Sequence, residues 1–255
     1  MKKIILNILI VVLLIVSLTF GLKALQEAEN LKKSKNLYDD IIQQVQNSKN
    51  NYADDYIQIE GLPLIQYVDL YQMNEDFFGW IKIDDSKINY PVVQTVNEPE
   101  KYLRKDFNGE YSIPGTIFLD YRDDADSDNL ILYGHYMQNG TMFGDLTKYT
   151  NRDYLLDHQI IHFDTLYEER DYEVFSVFYD YVRNVDDQSF KYYNLIDIED
   201  DEYDDIITIL KDKSEVAVDV DIETGDQLLM LSTCSYYRED GRFVVVAHKI
   251  DKKLS

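Results

Sequence analysis

The sequence predicts a mainly β domain with peripheral helices, an α+β architecture, attached to a membrane by an N-terminal helix. Three observations support this. An almost uninterrupted apolar run occupies residues 4–22, a segment of helical periodicity follows it, and from Asp76 onward short β-type runs alternate with turn residues. Many short strands in one domain are typical of a barrel or a sandwich. The roughly 230 residues outside the apolar run suffice for one sizeable core.

The apolar run is long enough for a transmembrane helix, which needs about 20 residues. A cleaved signal peptide would have a shorter apolar core followed by a small-residue cleavage site, and Leu22 to Gln26 offers a poor one. We therefore expect an uncleaved signal-anchor, with Lys2 and Lys3 holding the N-terminus inside the cell. The predicted division is a cytoplasmic N-terminus at 1–3, a transmembrane segment at 4–22, a juxtamembrane helical stalk at 23–60 and an extracellular domain at 61–255.

Three further segments are predicted to be helical. Residues 24–50 lack Gly and Pro and place apolar residues at helical spacing, with Asn36 as the candidate break. A second, short helix is expected over 64–74. The third lies within 198–214, where acidic residues come first and lysines last, an order that suits the helix macrodipole.

The remaining pattern predicts short strands bounded by turn residues. The expected strands are 77–83, 88–93, 115–119, 130–133, 159–164, 172–181, 214–220, 227–233 and 242–248.

Charge is distributed unevenly along the chain. Residues 1–50 carry seven basic and four acidic residues, which leaves 18 basic and 44 acidic residues for the rest of the chain. A domain this acidic repels nucleic acid, so we expect no nucleic-acid partner. Solubility is the preferred explanation of the charge, and attraction of a cationic partner stays open.

The chain has one cysteine, Cys234, at the end of an apolar strand-like run. A single cysteine cannot form an intramolecular disulfide, so it is a free reactive thiol, an intermolecular bridge or a buried inert side chain. Arg242 opens the next apolar run. If the two runs pair as antiparallel neighbours, thiol and guanidinium meet at one rim, where an arginine can stabilise an oxyanion.

Four histidines could supply a base for the thiol. His135 follows a buried strand and opens a loop, a common position for functional side chains. His158 and His162 are four residues apart, but the segment reads as turn then strand with no third ligand, so we expect no metal site. His248 is expected to be structural. The acidic segment 120–129 lacks the EF-hand spacing and central glycine, and we expect a solvated loop rather than a calcium site.

Three motifs resemble those of sortases, the membrane-anchored cysteine transpeptidases of Gram-positive bacteria. They are LYGH at residues 132–135, LSTC at residues 231–234, and Arg242. The surrounding segments FFGWIKIDDSKINYPVVQ, YLRKDFNGEYSIPGTIFLDYR and LYGHYMQNGTMFGDLTKY resemble class B. The resemblance covers residues 74–249, and the motifs are highly specific when taken together. One departure is Met230, four places before the cysteine, where the family motif commonly has Thr.

The resemblance implies an eight-stranded β-barrel with a long helix in the connection before the cysteine strand. It implies a thiol hydrolase and transpeptidase with Cys234 as nucleophile, His135 as general acid/base and Arg242 as oxyanion stabiliser or substrate positioner. The resemblance assigns four residues to the peptide groove: Tyr133, Leu103, Ser232 and Thr233. It implies no cofactor. The expected partners are the sorting-motif peptide of a secreted surface protein, a peptidoglycan-precursor amine and the membrane itself, with a monomeric ectodomain.

Two alternatives to cell-wall anchoring stay open. The entering amine could be a lysine of another subunit, as in pilin-polymerising sortases. The domain could also be a non-catalytic adhesion module, since its 22 tyrosines would suit a binding surface. An adhesion module would not need Cys234, whereas both enzymatic readings would.

Overall fold

The structure is a computed structural model that describes residues 2–52, 59, 61–184, 186–235 and 239–250, with the side chains of Lys2 and Tyr52 left out. In these residues eight strands form a closed barrel in the order β1-β2-β3-β4-β7-β8-β6-β5. The strands are β1 (Phe77–Lys82), β2 (Asn89–Val93), β3 (Ile117–Leu119), β4 (Asn129–Gly134), β5 (Ile160–Thr165), β6 (Asp171–Tyr181), β7 (Leu228–Cys234) and β8 (Gly241–Ile250). The predicted mainly β fold with peripheral helices is confirmed.

One expected strand is absent: residues 214–220 have no regular structure. The segment meets the edge of β6 at a single residue, Val177, which donates to Ser214 Oγ and accepts from the Glu215 amide (3.0 and 2.7 Å). Val216 and Val220 are nevertheless buried. The apolar pattern here reflects burial against the barrel, because no ladder of hydrogen bonds forms.

Two strand pairs in the barrel are parallel, β2 with β3 and β4 with β7. The β4–β7 and β7–β8 pairs place β7 between β4 and β8, and β7 carries the single cysteine of the sequence. Leu132 and Leu231 point to the barrel interior, whereas Ile131 and Met230 point to a second apolar cluster on the outer face. Burial on both faces explains why these strands read as continuous apolar runs. Met230, the departure from the family motif, is fully buried.

The outer cluster is covered by the connection between β6 and β7. This connection contains α4 (Asp200–Asp212), which has three acidic residues in its first turn and Lys211 in its last. The helix turns Tyr203, Ile206, Ile207 and Leu210 toward the barrel wall. The helix predicted within 198–214 is confirmed, and it closes one side of the barrel.

The described residues also contain two short α-helices and four 3-10 helices, at Ile65–Tyr67, Lys101–Arg104, Gly144–Thr150 and Tyr192–Asn194. The predicted short helix over 64–74 is present as a 3-10 turn, Ile65–Tyr67, followed by α2 (Val68–Met73). The other short α-helix, α3 (Arg152–Asp157), is capped by Asn151, whose side chain accepts from two backbone amides of the first turn.

The N-terminal helix α1 (Lys2–Tyr52) is continuous, so the candidate break at Asn36 is wrong. Ser34, which precedes Asn36, and Tyr38 and Ile41, which follow it, are buried against the domain. The Tyr38 hydroxyl donates to the Gly115 carbonyl at 2.7 Å. The packed half of α1 therefore belongs to the folded domain, and tertiary contacts keep the helix straight through Asn36.

The first part of α1 makes no contact with the domain. Within the described residues, this helix is the one that is long and apolar enough to cross a membrane, and its apolar window is unburied. The helix fits a single-pass anchor, with the barrel beyond its far end.

Candidate active site

Cys234 is the last residue of β7 and is exposed. In the antiparallel β7–β8 pair, Cys234 lies directly opposite Arg242. Directly opposite residues project their side chains from the same face, with Cβ atoms about 4.5–5.5 Å apart. The expected meeting of thiol and guanidinium at one rim is therefore present in the structure. The Arg242 Nη1 atom donates to the carbonyls of Asp240 and Gly241 (3.3 and 3.0 Å).

His135 reaches the same rim from the other side of β7. The parallel β4–β7 register pairs Gly134 with Thr233, so the next residues along the two strands are His135 and Cys234. The Phe143 amide donates to the His135 carbonyl at 3.1 Å and holds the loop that follows. A side chain at position 134 would clash with the Phe143 ring, which explains the glycine before His135.

The imidazole of His135 is partly buried, and burial lowers its pKa below the usual value. The positive charge of Arg104 lowers the pKa further. Both effects favour the neutral ring in the unliganded protein.

All seven residues predicted for the site line one groove of about 440 Å³. They are Cys234, His135, Arg242, Tyr133, Leu103, Ser232 and Thr233. Another cavity of similar size, about 430 Å³, lies between α1 and strands β1 and β5, and the thiol is not part of it. The groove at the thiol is therefore the candidate active site.

The two hydroxyl residues before the thiol are buried and already hydrogen bonded within the protein. Thr233 Oγ1 donates to the Gly134 carbonyl (2.8 Å), which ties β7 to β4 beside the histidine. Ser232 Oγ shares a hydrogen bond with the Tyr192 hydroxyl (2.8 Å). These bonds stabilise the strand ends that carry the thiol and the histidine, and direct contact of the two hydroxyls with a peptide stays a prediction.

The groove wall contains a polar network that was not predicted from the sequence. Arg122 pairs with Asp120 through two hydrogen bonds of 2.8 Å, and the Tyr133 hydroxyl donates to Asp120 Oδ2 at 3.0 Å. Burial alone would raise the pKa of Asp120, but the bonds and charge of Arg122 hold it below its usual value. Arg122 also donates to the Tyr193 carbonyl at 2.6 Å, which links this wall to the β6–β7 connection.

The expectation that 120–129 is a solvated loop is wrong for part of it, because Asp120 and Asp123 are buried. The only signal in the sequence was the DYR triplet at the end of a predicted strand. Tyr192 and Tyr193 gave no signal among so many tyrosines.

The other histidines lie away from the groove. His158 Nδ1 is 2.8 Å from the Tyr154 carbonyl, and His162 Nδ1 is 2.6 Å from Asp171. His248 is buried beside Asp226. Across the described ranges, no three His, Cys, Asp or Glu side chains are grouped so that they could hold a metal ion. Arg238, the neighbouring arginine in the sequence, lies outside the described residues.

Comparison with known proteins gives consistent matches. A family model described as Sortase domain matches residues 81–250. Sortase B of Staphylococcus aureus (strain NCTC 8325 / PS 47) is 32% identical over 251 residues, 97% of each chain. Sortase B of Listeria monocytogenes serovar 1/2a (strain ATCC BAA-679 / EGD-e) is 31% identical over 188 residues, 72% of this chain and 74% of that protein. A solved Staphylococcus aureus sortase B–substrate complex has a TM-score of 0.74 at 30% identity, covering 87% of this chain and 98% of that one.

A closed β-barrel with a cysteine, a histidine and an arginine at one rim defines a class of β-barrel transpeptidases, and the matches establish which family this is. The chain belongs to the sortase family. The relatives and the structural neighbour are all sortase B, and the predicted resemblance to class B is confirmed.

Proposed function

We propose that this protein is a cysteine transpeptidase that cleaves a C-terminal sorting motif of secreted proteins and transfers the acyl group to a cell-wall amine. The observation that carries the proposal is the strand register at the rim. It places His135, Cys234 and Arg242 at neighbouring strand ends. Cys234 is also the single thiol of the sequence. A membrane-anchored enzyme of this kind would act on substrates as they leave the membrane, and the N-terminal helix fits that location.

The proposed first half-reaction forms a thioester. The Cys234 thiolate attacks the carbonyl carbon of a threonine in the motif, and the Arg242 guanidinium stabilises the oxyanion. The carbon–nitrogen bond then breaks, and the His135 imidazolium gives its proton to the leaving amine. The acyl group stays on the sulfur, and the imidazole becomes neutral.

The second half-reaction restores the enzyme. A cell-wall amine attacks the thioester carbonyl, the carbon–sulfur bond breaks and the thiolate leaves. His135 takes the proton that the amine loses. The lowered pKa of His135 suits this step, because a neutral ring is ready to accept a proton.

The groove is suited to an extended peptide whose central residues are uncharged. Aromatic and aliphatic side chains supply much of its lining, including Leu103, Phe118, Tyr133, Val182 and Tyr192. The carboxylate of Asp120, which also lines the groove, is neutralised by Arg122. The Staphylococcus aureus relative was solved as a sortase B–substrate complex, which supports substrate binding by this chain.

The test is turnover of a sorting-motif peptide library by the wild type and by Cys234→Ala. We expect Cys234→Ala to lose cleavage and thioester formation while its fold, followed by circular dichroism, is unchanged. Cleavage by Cys234→Ala at the wild-type rate would exclude the mechanism.

The acceptor is identified separately. A cross-bridge mimic and a pilin-type lysine peptide are offered in competition to the acyl-enzyme, and mass spectrometry measures which amine is joined. Transfer to the cross-bridge mimic supports cell-wall anchoring, whereas preferential transfer to lysine would indicate pilin polymerisation.

A further inference from the structure

Three side chains form a row across the active-site rim. Cys234 of β7 lies opposite Arg242 of β8, and Arg242 lies opposite Asp180 of β6. Directly opposite residues share a face, so Arg242 stands between the thiol and a carboxylate. Opposite charges in this position ordinarily attract each other, and such a pair would draw the guanidinium away from the thiol.

Asp180 is instead held by a different arginine. Arg183 Nη1 lies 2.6 Å from Asp180 Oδ1, and Lys213 Nζ lies 3.4 Å from Oδ2. The Arg183 guanidinium also stacks on the Tyr181 ring at 4.3 Å. The side chains of Asp180 and Arg183 are 1% and 9% exposed, so this ion pair is sheltered from water.

Arg242, in contrast, is not held by a carboxylate among the described residues. In the described part of the chain it makes no ion pair, and its hydrogen bonds go to the carbonyls of Asp240 and Gly241. Asp180 still has acceptor capacity, because Oδ2 has no hydrogen-bond partner within the described residues. The carboxylate could therefore receive Arg242 if its present partner were removed.

We propose that Arg183 is a positioning residue, which occupies Asp180 and so leaves Arg242 free to face the thiol. The inference rests on the role proposed above for Arg242. A buried carboxylate that loses its cation is strongly destabilised and recruits another. Lys213 offers a single point charge and already lies over the rings of Phe178 and Phe190. Arg242 is directly opposite, and its planar fork can engage both carboxylate oxygens.

The experiment compares Arg183→Ala, Asp180→Asn and the double variant in steady-state turnover of a sorting-motif peptide. We expect Arg183→Ala to lower kcat about tenfold or more with little change in KM, as loss of a transition-state interaction does. Asp180→Asn should stay within about threefold of the wild type, because it leaves no carboxylate to capture Arg242. The double variant should recover to about that level for the same reason.

Rescue by the second substitution is the decisive readout. A purely structural role of Arg183 would give a double variant at least as impaired as Arg183→Ala, and that result would overturn the proposal. So would wild-type kcat in Arg183→Ala. Arg152→Ala, an exposed arginine on α3, is the matched control and should be unaffected. If Arg183→Ala does not fold, Arg183→Met, which removes the cation but keeps a long side chain beside the Tyr181 ring, is read by the same rescue criterion.

Failure of this inference is distinguishable from failure of the proposed function. Arg242→Ala, assayed in parallel, shows whether Arg242 matters for turnover at all. If Arg242→Ala is impaired and Arg183→Ala is not, the positioning role is excluded while the transpeptidase mechanism stands. If Arg242→Ala turns over like the wild type, the role assigned to Arg242 is wrong, and the positioning role that depends on it is wrong too.

Discussion

Cys234 and Arg242 occupy directly opposite positions at the ends of two paired strands, with the thiol exposed and the guanidinium bonded only to nearby carbonyls in the described residues. A register of this kind sets their spacing through backbone hydrogen bonds rather than through a flexible loop. Strand ends are rigid supports for functional groups, which suits an oxyanion donor that must be in place before charge develops.

The first prediction tests this relationship. Arg242→Ala should cost about 2–4 kcal/mol of transition-state stabilisation, as loss of an oxyanion donor does. Steady-state kcat/KM on a sorting-motif peptide measures the loss. Arg238→Ala, the neighbouring arginine, should cost little, and the reverse ranking would show that the wrong arginine has been assigned.

The meeting of Cys234, His135 and Arg242 could be predicted because each follows or opens a strongly apolar strand. Apolar runs locate strands well, and polar residues at their ends collect at barrel rims. The family resemblance then assigned expected roles to these rim residues. The order of strands in the barrel is not encoded locally, and the parallel β4–β7 pairing became known only from the structure.

The polar network of the groove wall could not be predicted for a related reason. Arg122 and Tyr193 are 71 residues apart in the chain, and their hydrogen bond depends on how the β6–β7 connection folds back. For residues 214–220 the error was the opposite one, because a strand was predicted where the structure has none. Alternating valines indicate burial equally well for a strand and for a segment that covers a strand, and only the available hydrogen-bonding edge decides between them.

The second prediction concerns the pKa of His135. The positive charge of Arg104 disfavours the imidazolium, so Arg104→Gln should raise the pKa of His135. NMR titration of the ring protons in a Cys234→Ala background measures this without coupling to the thiol. In the active enzyme, the limb of the pH–rate profile that reports His135 should move to higher pH. Arg152→Gln is the control. An unchanged or lowered pKa of His135 in Arg104→Gln would contradict the assigned cause.

The third prediction concerns Arg122, which joins the two walls of the groove through Asp120 and the Tyr193 carbonyl. Arg122→Ala should raise KM for the peptide about tenfold, because the walls lose their fixed spacing, and should change kcat less. The KM of Arg122→Lys should be intermediate, since a lysine keeps the positive charge but cannot form the bidentate hydrogen bonds to Asp120. A KM within twofold of the wild type in a folded Arg122→Ala would show that the link is dispensable.

The fourth prediction separates the anchor from the packed half of α1. A chain that starts at residue 24 should be soluble and active on short peptides, because the apolar run contacts nothing in the domain. A chain that starts at residue 61 should have a lower Tm, since it lacks Tyr38 and Ile41 of the core. As point variants, Ile41→Ala should cost about 2–4 kcal/mol in urea unfolding, and Asn36→Ala on the exposed face close to nothing. Equal Tm values for the two truncated chains would mean that α1 is only a tether.

The last prediction uses Asp123, a carboxyl group buried in the β3–β4 loop. Its Oδ2 accepts from the Ile131 amide at 2.8 Å, whereas Oδ1 has no hydrogen-bond partner among the described residues. Burial, with the nearby charges of Asp120 and Asp197, raises the pKa of Asp123 to about 7. A raised folded-state pKa makes the stability contribution of the group largest below its unfolded value of 3.8, and that contribution is lost as the pH rises toward 7.

Asp123→Asn should therefore stabilise the protein more at pH 8 than at pH 5. The amide oxygen keeps the bond from Ile131, and no charge has to be buried. The difference between the two pKa values corresponds to roughly 4 kcal/mol as an upper limit. Urea unfolding at both pH values measures the gain, with Asp126→Asn, an exposed residue of the same loop, as the control. A gain that is equal at the two pH values, or larger at pH 5, would show that Asp123 is not the titrating group.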